Sequence, residues 1–250
     1  MKKKTRNRLI LAAPLVALTI VGGTFFFSGE SISTSKGVSY IKKQESKSTK
    51  SLQNTLTEIR KKEQDKLLEE GKISVFDLLH DYVIYGDSRV CGFSENGFLP
   101  ASRIFAKAGD GIKSIPKWEK QLSALSPSHI YFLYGINELD EIVLDKGADY
   151  KEEYTKAVRK VMRTLPESHI YICSIIPVSQ NVSDSNAKKS YEDVPGYNRI
   201  LKSICEENGW KFIDMGDAPL NDSYYQDDGI HLRMEFYEQW AQALVEATED

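Results

Sequence analysis

Cysteine and histidine are scarce in this 250-residue sequence, which contains three of the former and four of the latter. The cysteines are Cys91, Cys173 and Cys205; they form no CxxC pair, and their odd number argues against a disulfide framework. Their spacing does not indicate a metal site either. Because Cys173 and Cys205 lie in apolar runs, we expect both to be small core residues, while Cys91 has no predicted role.

Positive charge is lacking in the part of the chain that is long enough to fold. Residues 1–73 hold 15 Lys and Arg against 7 Asp and Glu, a net charge of +8. The remainder holds 18 basic and 29 acidic residues, a net charge of −11, within an overall charge of −3. Binding a phosphate backbone requires a surplus of Lys and Arg, so nucleic acid is not an expected partner.

Long apolar runs are missing except near the N-terminus. Residues 1–8 carry five positive charges, and residues 9–27 carry none of either sign. At about 1.5 Å per helical residue, the second segment predicts a transmembrane signal anchor that leaves the basic tail in the cytoplasm. A cleaved signal peptide, cut near residues 21–23, is the alternative. Both interpretations place the bulk of the protein outside the cytoplasm, held at the cell membrane or secreted.

Two further segments follow the leader. Residues 28–76 are predicted to be a stalk or linker, partly helical, because their apolar residues are too sparse for a core. Residues 77–250 are predicted to be one domain in which strands and helices alternate. Strand-like runs lie at 80–86, 103–109, 129–135, 169–177 and 210–216, and helix-like stretches at 115–126, 149–165, 197–209 and 232–248. This alternation predicts a three-layer α/β/α fold around a five-stranded parallel sheet.

Glycine and polar residues follow the first three predicted strands. The segments are Gly86-Asp87-Ser88, Gly109-Asp110-Gly111 and Gly135-Ile136-Asn137-Glu138. In the flavodoxin-like strand order 2-1-3-4-5, these strands are neighbours about 4.8 Å apart. A serine hydroxyl would then lie between a glycine N–H and an asparagine amide, which is the arrangement that a developing oxyanion needs.

A base for this serine is predicted near the last helix. His80, His129 and His169 open strands at the opposite end of the sheet, which leaves His231. Asp228, three residues earlier, is placed to accept the Nδ1 proton of that histidine. Each motif alone is weak, since Gly-Asp-Ser also fits a helix-capping turn and Asp-Gly a common turn. Their order along the chain, each at a strand end or the last helix, favours a catalytic site.

The blocks YGDSRV, AKAGDG, YGINE and DGIHL resemble the signature blocks of the SGNH (GDSL-type) hydrolase superfamily across residues 80–248. The resemblance implies the flavodoxin-like fold, a serine esterase activity, and neither a metal nor an organic cofactor. It implies five site residues: Ser88 as nucleophile and first oxyanion donor, Gly109 and Asn137 as the other donors, His231 as general base, and Asp228 as its partner. The rival serine-hydrolase signature GxSxG is absent.

Two positions depart from the pattern of that superfamily. Glu138 stands where Asp is usual, so we expect altered support of its loop rather than lost activity, and Glu138 is also a candidate for a substrate contact. Arg89 replaces a usually apolar residue and marks either a substrate contact or a surface charge. Tyr224 and Tyr225 in the late loop are candidates to stack on a sugar, or else pack onto the domain.

The sequence therefore predicts an extracytoplasmic serine esterase that removes short acyl groups, above all acetyl, from cell-envelope carbohydrate. No long apolar lid segment is present beyond the leader, which disfavours a lipase or lysophospholipase for long acyl chains. An O-acetyltransferase that uses the same triad, with a partner supplying acetyl groups, is an alternative. A catalytically silent, tethered binding protein is a third class. The sequence does not indicate an oligomeric state.

Overall fold

A computed structural model describes residues 34–45, 49–141, 147–184 and 189–249 of this chain. The chain divides into two compact units, Met1–Lys66 and Leu67–Asp250. In the first unit, helix α1 spans Thr34–Glu45, and helix α2, Thr49–Glu69, begins there and ends in the second unit. No helix among the described residues is long and apolar enough to cross a membrane. The segment predicted to do so, residues 9–27, lies outside the described residues.

The second unit is built on a five-stranded sheet. Its strands are β1 Tyr82–Gly86, β2 Ile104–Ala106, β3 His129–Leu133, β4 His169–Cys173 and β5 Lys211–Ile213. All neighbouring pairs are parallel and the order is 2-1-3-4-5, as the sequence predicted. Gly86 pairs with Ala106 on one side and Leu133 on the other, so the carboxyl ends of the three neighbouring strands are level.

Helices connect these strands. They are α3 Ser88–Glu95, α4 Glu119–Leu125, α5 Glu138–Glu141, α6 Gly147–Thr164, α7 Gln180–Asp184, α8 Val194–Asn208 and α9 Met234–Glu249. Short 3-10 helices span Val75–Leu78, Ala101–Arg103, Ile112–Trp118, Lys189–Asp193 and Asp222–Tyr224. The helix predicted over 115–126 starts as the third of these, which contains Pro116. Proline has no N–H for a helical hydrogen bond, so the regular α-helix begins only after it.

Both faces of the sheet are covered. Along β1 every residue is buried, which explains why the strand is apolar throughout rather than alternating. Val83 packs in a core with residues of α6 and α8, and its neighbour Ile84 packs in a second core with residues of α3 and α9. Helices on the two faces make the three layers that the sequence predicted. Cys173 and Cys205 are buried in these cores as free thiols, as expected.

Candidate active site

Ser88 lies at the carboxyl end of β1, where α3 begins. Val90 approaches this turn closely: a Cβ on Gly86 would lie 2.2 Å from its side chain, so the position requires glycine. Asp87 is the N-cap of α3, and its carboxylate accepts a hydrogen bond of 2.9 Å from the N–H of Arg89. Among the described residues, the bonds at this cap come from the N–H groups of Arg89, Val90 and Cys91, which leaves the N–H of Ser88 available to a ligand.

A chain of hydrogen bonds joins Ser88 to His231 and Asp228. The distance from Ser88 Oγ to His231 Nε2 is 2.9 Å, and that from His231 Nδ1 to Asp228 Oδ2 is 2.5 Å. Since a carboxylate only accepts hydrogen bonds, the proton of the neutral imidazole lies on Nδ1. The Nε2 atom is then the acceptor for the hydroxyl of Ser88, 143 residues away in the sequence.

The turn that carries Asp228 and His231 is closed at its base. Tyr225 and Leu232 form an antiparallel bridge, and the N–H of Gln226 donates to the carbonyl of His231 at 2.8 Å. Asp228 Oδ1 accepts from the N–H of His231 at 2.9 Å, which fixes the carboxylate within the turn. These bonds set the imidazole before any substrate is present.

The pKa values of the carboxyl groups of Asp228 and Asp87 are shifted in opposite directions. Partial burial raises the pKa of Asp228, but hydrogen bonds from the side chain and N–H of His231 and from the N–H of Ile230 outweigh it, so the pKa is lowered. Asp228 is therefore ionised beside the imidazole at neutral pH. Burial raises the pKa of Asp87 to about 6, although the guanidinium of Arg89 opposes the shift.

The loops after β2 and β3 are bonded to each other. Asn137 Nδ2 donates to the carbonyl of Asp110 at 2.8 Å, and its second hydrogen does not take part in this bond. Glu138 Oε1 accepts from the N–H of Ile112 at 2.5 Å. A Cβ on Gly111 would lie 2.3 Å from Glu138 Oε1, so glycine permits this close approach. Glu138 therefore holds the loop after β2, which contains Gly109 and Gly111.

Gly109 lies in the same loop with a φ of +76°, a value that favours glycine. It comes three residues after the end of β2, as Asn137 comes four residues after β3 and Ser88 two residues after β1. The structure thus places all three candidate oxyanion donors after the carboxyl ends of neighbouring strands. Such an edge of a parallel sheet is the usual position for a ligand.

Three of the candidate substrate contacts are buried. Arg89, Glu138 and Tyr225 are 4%, 3% and 2% exposed, so none of them is open to a substrate. Arg89 is accordingly not a surface charge. Tyr225 donates from its hydroxyl to the carbonyl of Pro177 at 3.0 Å. Tyr224 is half-buried and its ring contacts Phe236 edge to face, so both tyrosines pack onto the domain.

Cys91 lies one helical turn after Ser88 and is half-buried. Burial raises the pKa of its thiol to about 11, which leaves it protonated and unreactive near neutral pH. The parts of the chain that the structure describes contain no group of three or more His, Cys, Asp or Glu residues arranged to hold a metal ion.

The sequence motifs did not indicate that Asp87 is buried or that its carboxyl is the opposite charge beside Arg89. They also missed the segment after β4, where Ser179 donates from its N–H to the carbonyl of Gly229 at 2.8 Å. The Asp before a helix start signals a cap, but no local signal indicates a contact between segments 50 residues apart.

Comparison with known proteins identifies the family of this chain. The sequence profile of the family described as GDSL-like Lipase/Acylhydrolase matches residues 84–239, more than half of the chain. The chain belongs to this family. It is therefore a serine hydrolase that acts on ester bonds. Among curated proteins, none matches the sequence.

Solved structures with a similar fold include three hydrolases. The lipase/acylhydrolase of Enterococcus faecalis has a TM-score of 0.54 at 14% identity over 68% of this chain and 96% of its own. A GDSL-like lipase of Bacteroides thetaiotaomicron has a TM-score of 0.50 at 15% identity, over 74% and 96%. A mutant of an acetyl-xylooligosaccharide esterase from Geobacillus has a TM-score of 0.50 at 18% identity, over 67% and 94%. These identities show the shared fold alone.

Proposed function

We propose that this family member hydrolyses short acyl esters through a Ser88-His231-Asp228 triad. The hydrogen-bond chain between these side chains is the observation that carries the proposal. Ser88 Oγ attacks the ester carbonyl while His231 Nε2 takes its proton, and the imidazolium then returns the proton to the leaving alcohol. Asp228 keeps the ring oriented and stabilises its positive charge. Water, activated by the same imidazole, then releases the acid from the acyl-enzyme.

The tetrahedral intermediate is proposed to place its oxyanion among three donors. These are the N–H of Ser88, the N–H of Gly109 and the Nδ2 group of Asn137. The Ser88 N–H also lies at the N-terminus of α3, where the helix dipole favours negative charge. Donors held by the fold need no reorganisation when the charge develops, which is why such groups lower the barrier.

The proposed substrates are acetyl or other short acyl esters on carbohydrate. The side chains of His231 and Asp228 are 38% and 44% exposed, so the base stands at an open surface that a bulky alcohol group can approach. The sequence has no long apolar lid segment beyond residues 9–27 that would cover a long acyl chain. One protein of similar fold is an acetyl-xylooligosaccharide esterase.

The proposed location is outside the cytoplasm, at the membrane. The basic residues 1–8 and the uncharged residues 9–27 support this by their composition. Residues 28–76 would then tether the hydrolase domain near the outer surface. The mass of the mature N-terminus, measured on protein from cell fractions, distinguishes a retained anchor from a cleaved signal peptide.

Ser88→Ala tests the triad directly. We expect it to abolish hydrolysis of p-nitrophenyl acetate and labelling by a fluorophosphonate probe. Ser94→Ala is the matched control, because Ser94 lies in the same helix and its hydroxyl donates to the carbonyl of Cys91 in the preceding turn. Turnover by Ser88→Ala equal to that of Ser94→Ala would reject the mechanism.

The acyl group and the acceptor require a second experiment. The turnover of p-nitrophenyl acetate is first compared with that of a long-chain p-nitrophenyl ester, and faster turnover of the long-chain ester would favour a lipase. Acetate release from an acetylated oligosaccharide is then compared with acetyl transfer to an unacetylated one. Transfer that exceeds release would identify an acetyltransferase, and absence of fluorophosphonate labelling would favour a silent binding protein.

A further inference from the structure

Arg89 follows the proposed nucleophile directly, and its side chain is buried. Its guanidinium donates to the carbonyls of Ile176 and Pro177, the latter at 3.4 Å. The buried carboxyl of Asp87 is the opposite charge that acts on it. Removing a guanidinium from water costs several kcal/mol, so a buried position is retained only with such partners. The site thus contains a cation that the proposed chemistry does not use.

The two carbonyls belong to the segment 176–179, which lies after β4. Pro177 O accepts a second hydrogen bond, from the hydroxyl of Tyr225 at 3.0 Å. At the end of the segment, the N–H of Ser179 donates to the carbonyl of Gly229 at 2.8 Å. Gly229 lies between the proposed triad residues Asp228 and His231. The segment therefore lies between the guanidinium and the turn that carries the base.

These contacts are close. A Cβ on Gly229 would lie 2.3 Å from Ser179 Oγ, so the two segments touch without a gap that could absorb movement. On the other side, the carbonyl of Arg89 accepts from the hydroxyl of Tyr237 at 2.6 Å, which ties its backbone to α9. A shift of residues 176–179 would consequently be passed to the turn.

We propose that Arg89 is a positioning residue, whose guanidinium holds the segment 176–179 and thereby sets the distance between Ser88 and His231. The inference deepens the proposed function and rests on it. One side chain connects the helix of the nucleophile with the loop that supports the base. Lysine is not equivalent, since its compact ammonium lacks the planar fork that reaches two carbonyls.

The first test is the steady-state hydrolysis of p-nitrophenyl acetate by Arg89→Met. Methionine keeps much of the length and removes the donors and the charge. Misplacing a reacting group by about 1 Å costs about 10²-fold, so we expect kcat to fall about 10- to 100-fold with KM within about twofold. Arg89→Lys should recover part of this loss.

Leu244→Ala is the control for lost stability alone. Leu244 is fully buried in the core that α9 forms with the sheet, and its truncation costs about 2–5 kcal/mol. Assayed well below its melting temperature, this variant should keep kcat within about threefold of wild type. A kcat of Arg89→Met equal to that of Leu244→Ala would overturn the proposal, because Arg89 would then act only through stability.

A double-mutant cycle tests whether Arg89 acts through the segment. Arg89→Met and Tyr225→Phe each remove a donor to Pro177 O, so the combined loss in kcat should be smaller than the product of the single losses. Losses that multiply would show that the two donors act independently, and would contradict the proposed linkage.

Amide hydrogen exchange gives a readout that does not depend on activity. In Arg89→Met, the Ser179 N–H should exchange at least about tenfold faster, relative to the core amide of Ile172, than in Leu244→Ala. Unchanged relative protection would overturn the linkage. If wild type neither hydrolyses esters nor reacts with the fluorophosphonate, the proposed function fails, while the exchange experiment still decides the linkage.

Discussion

Replacing Glu138 by aspartate shortens the side chain that supports the Gly109 loop. Glu138 Oε1 accepts from the N–H of Ile112 at 2.5 Å, and both residues are buried. Loss of one methylene withdraws the carboxylate by about 1.3 Å. The two atoms would then lie roughly 3.8 Å apart, outside the range of an N–H···O hydrogen bond.

The cost of Glu138→Asp follows from this gap. A buried N–H that loses its acceptor costs about 1–3 kcal/mol, or about 2–4 °C in Tm for each kcal/mol in a domain of this size. The loop would also relax toward the shorter side chain and move Gly109 and Asn137. Loss of one oxyanion donor costs about 10²–10³ in kcat. For a displaced donor we expect a fall of about tenfold or more, with KM nearly unchanged.

The assay combines thermal unfolding with the steady-state hydrolysis of p-nitrophenyl acetate. Glu138→Gln keeps an acceptor oxygen at the same reach and should retain most of kcat. Glu152→Asp makes the same shortening on the exposed face of α6 and should change neither quantity. The reasoning is refuted if Glu138→Asp has the Tm and kcat of wild type.

Three further outcomes are expected. Asp228→Asn should lower kcat by roughly 10²–10⁴-fold. The control Asp227→Asn changes the neighbouring residue, which accepts a hydrogen bond from Arg233, and should leave kcat unchanged. Equal losses of kcat in the two variants would exclude a specific role for Asp228. Gly229→Ala and Gly97→Ala both place a Cβ on a residue with positive φ, but only the Cβ at position 229 would meet a side chain within 4 Å. Urea unfolding should therefore show a larger loss of stability for Gly229→Ala. Equal losses of stability in the two variants would contradict the close contact. The pKa of Asp87 is about 6 in the folded chain, against an ordinary value of 3.8. Protonated Asp87 therefore stabilises the fold at low pH, and up to about 3 kcal/mol of this stability is lost as the pH rises from the ordinary pKa through the raised one. The stability of Asp87→Asn relative to wild type should therefore increase from pH 4 to pH 7, and a constant difference in Tm would contradict the pKa.

Much of the fold could be predicted because its signals are local. Apolar strands and helix-period stretches alternate along the chain, and a parallel sheet brings the residues after β1, β2 and β3 to one edge. Ser88, Asn137 and Gly109 each lie within four residues of the end of a strand, so their common location follows from topology. The sequence indicated the helix that begins at Ser88 only through its capping turn, since eight residues with little apolar periodicity carry a weak signal.

The sequence by itself determined the alternation of strands and helices, the family, and the candidate residues for the site, because each can be recognised in short segments. Only the tertiary structure decided that Arg89 and Tyr225 are buried, since their partners Ile176 and Pro177 are distant in the chain. It also decided that the carboxyl of Asp87 is harder to ionise than that of Asp228. Burial and neighbouring charge set these properties, and both arise only when separate segments pack together.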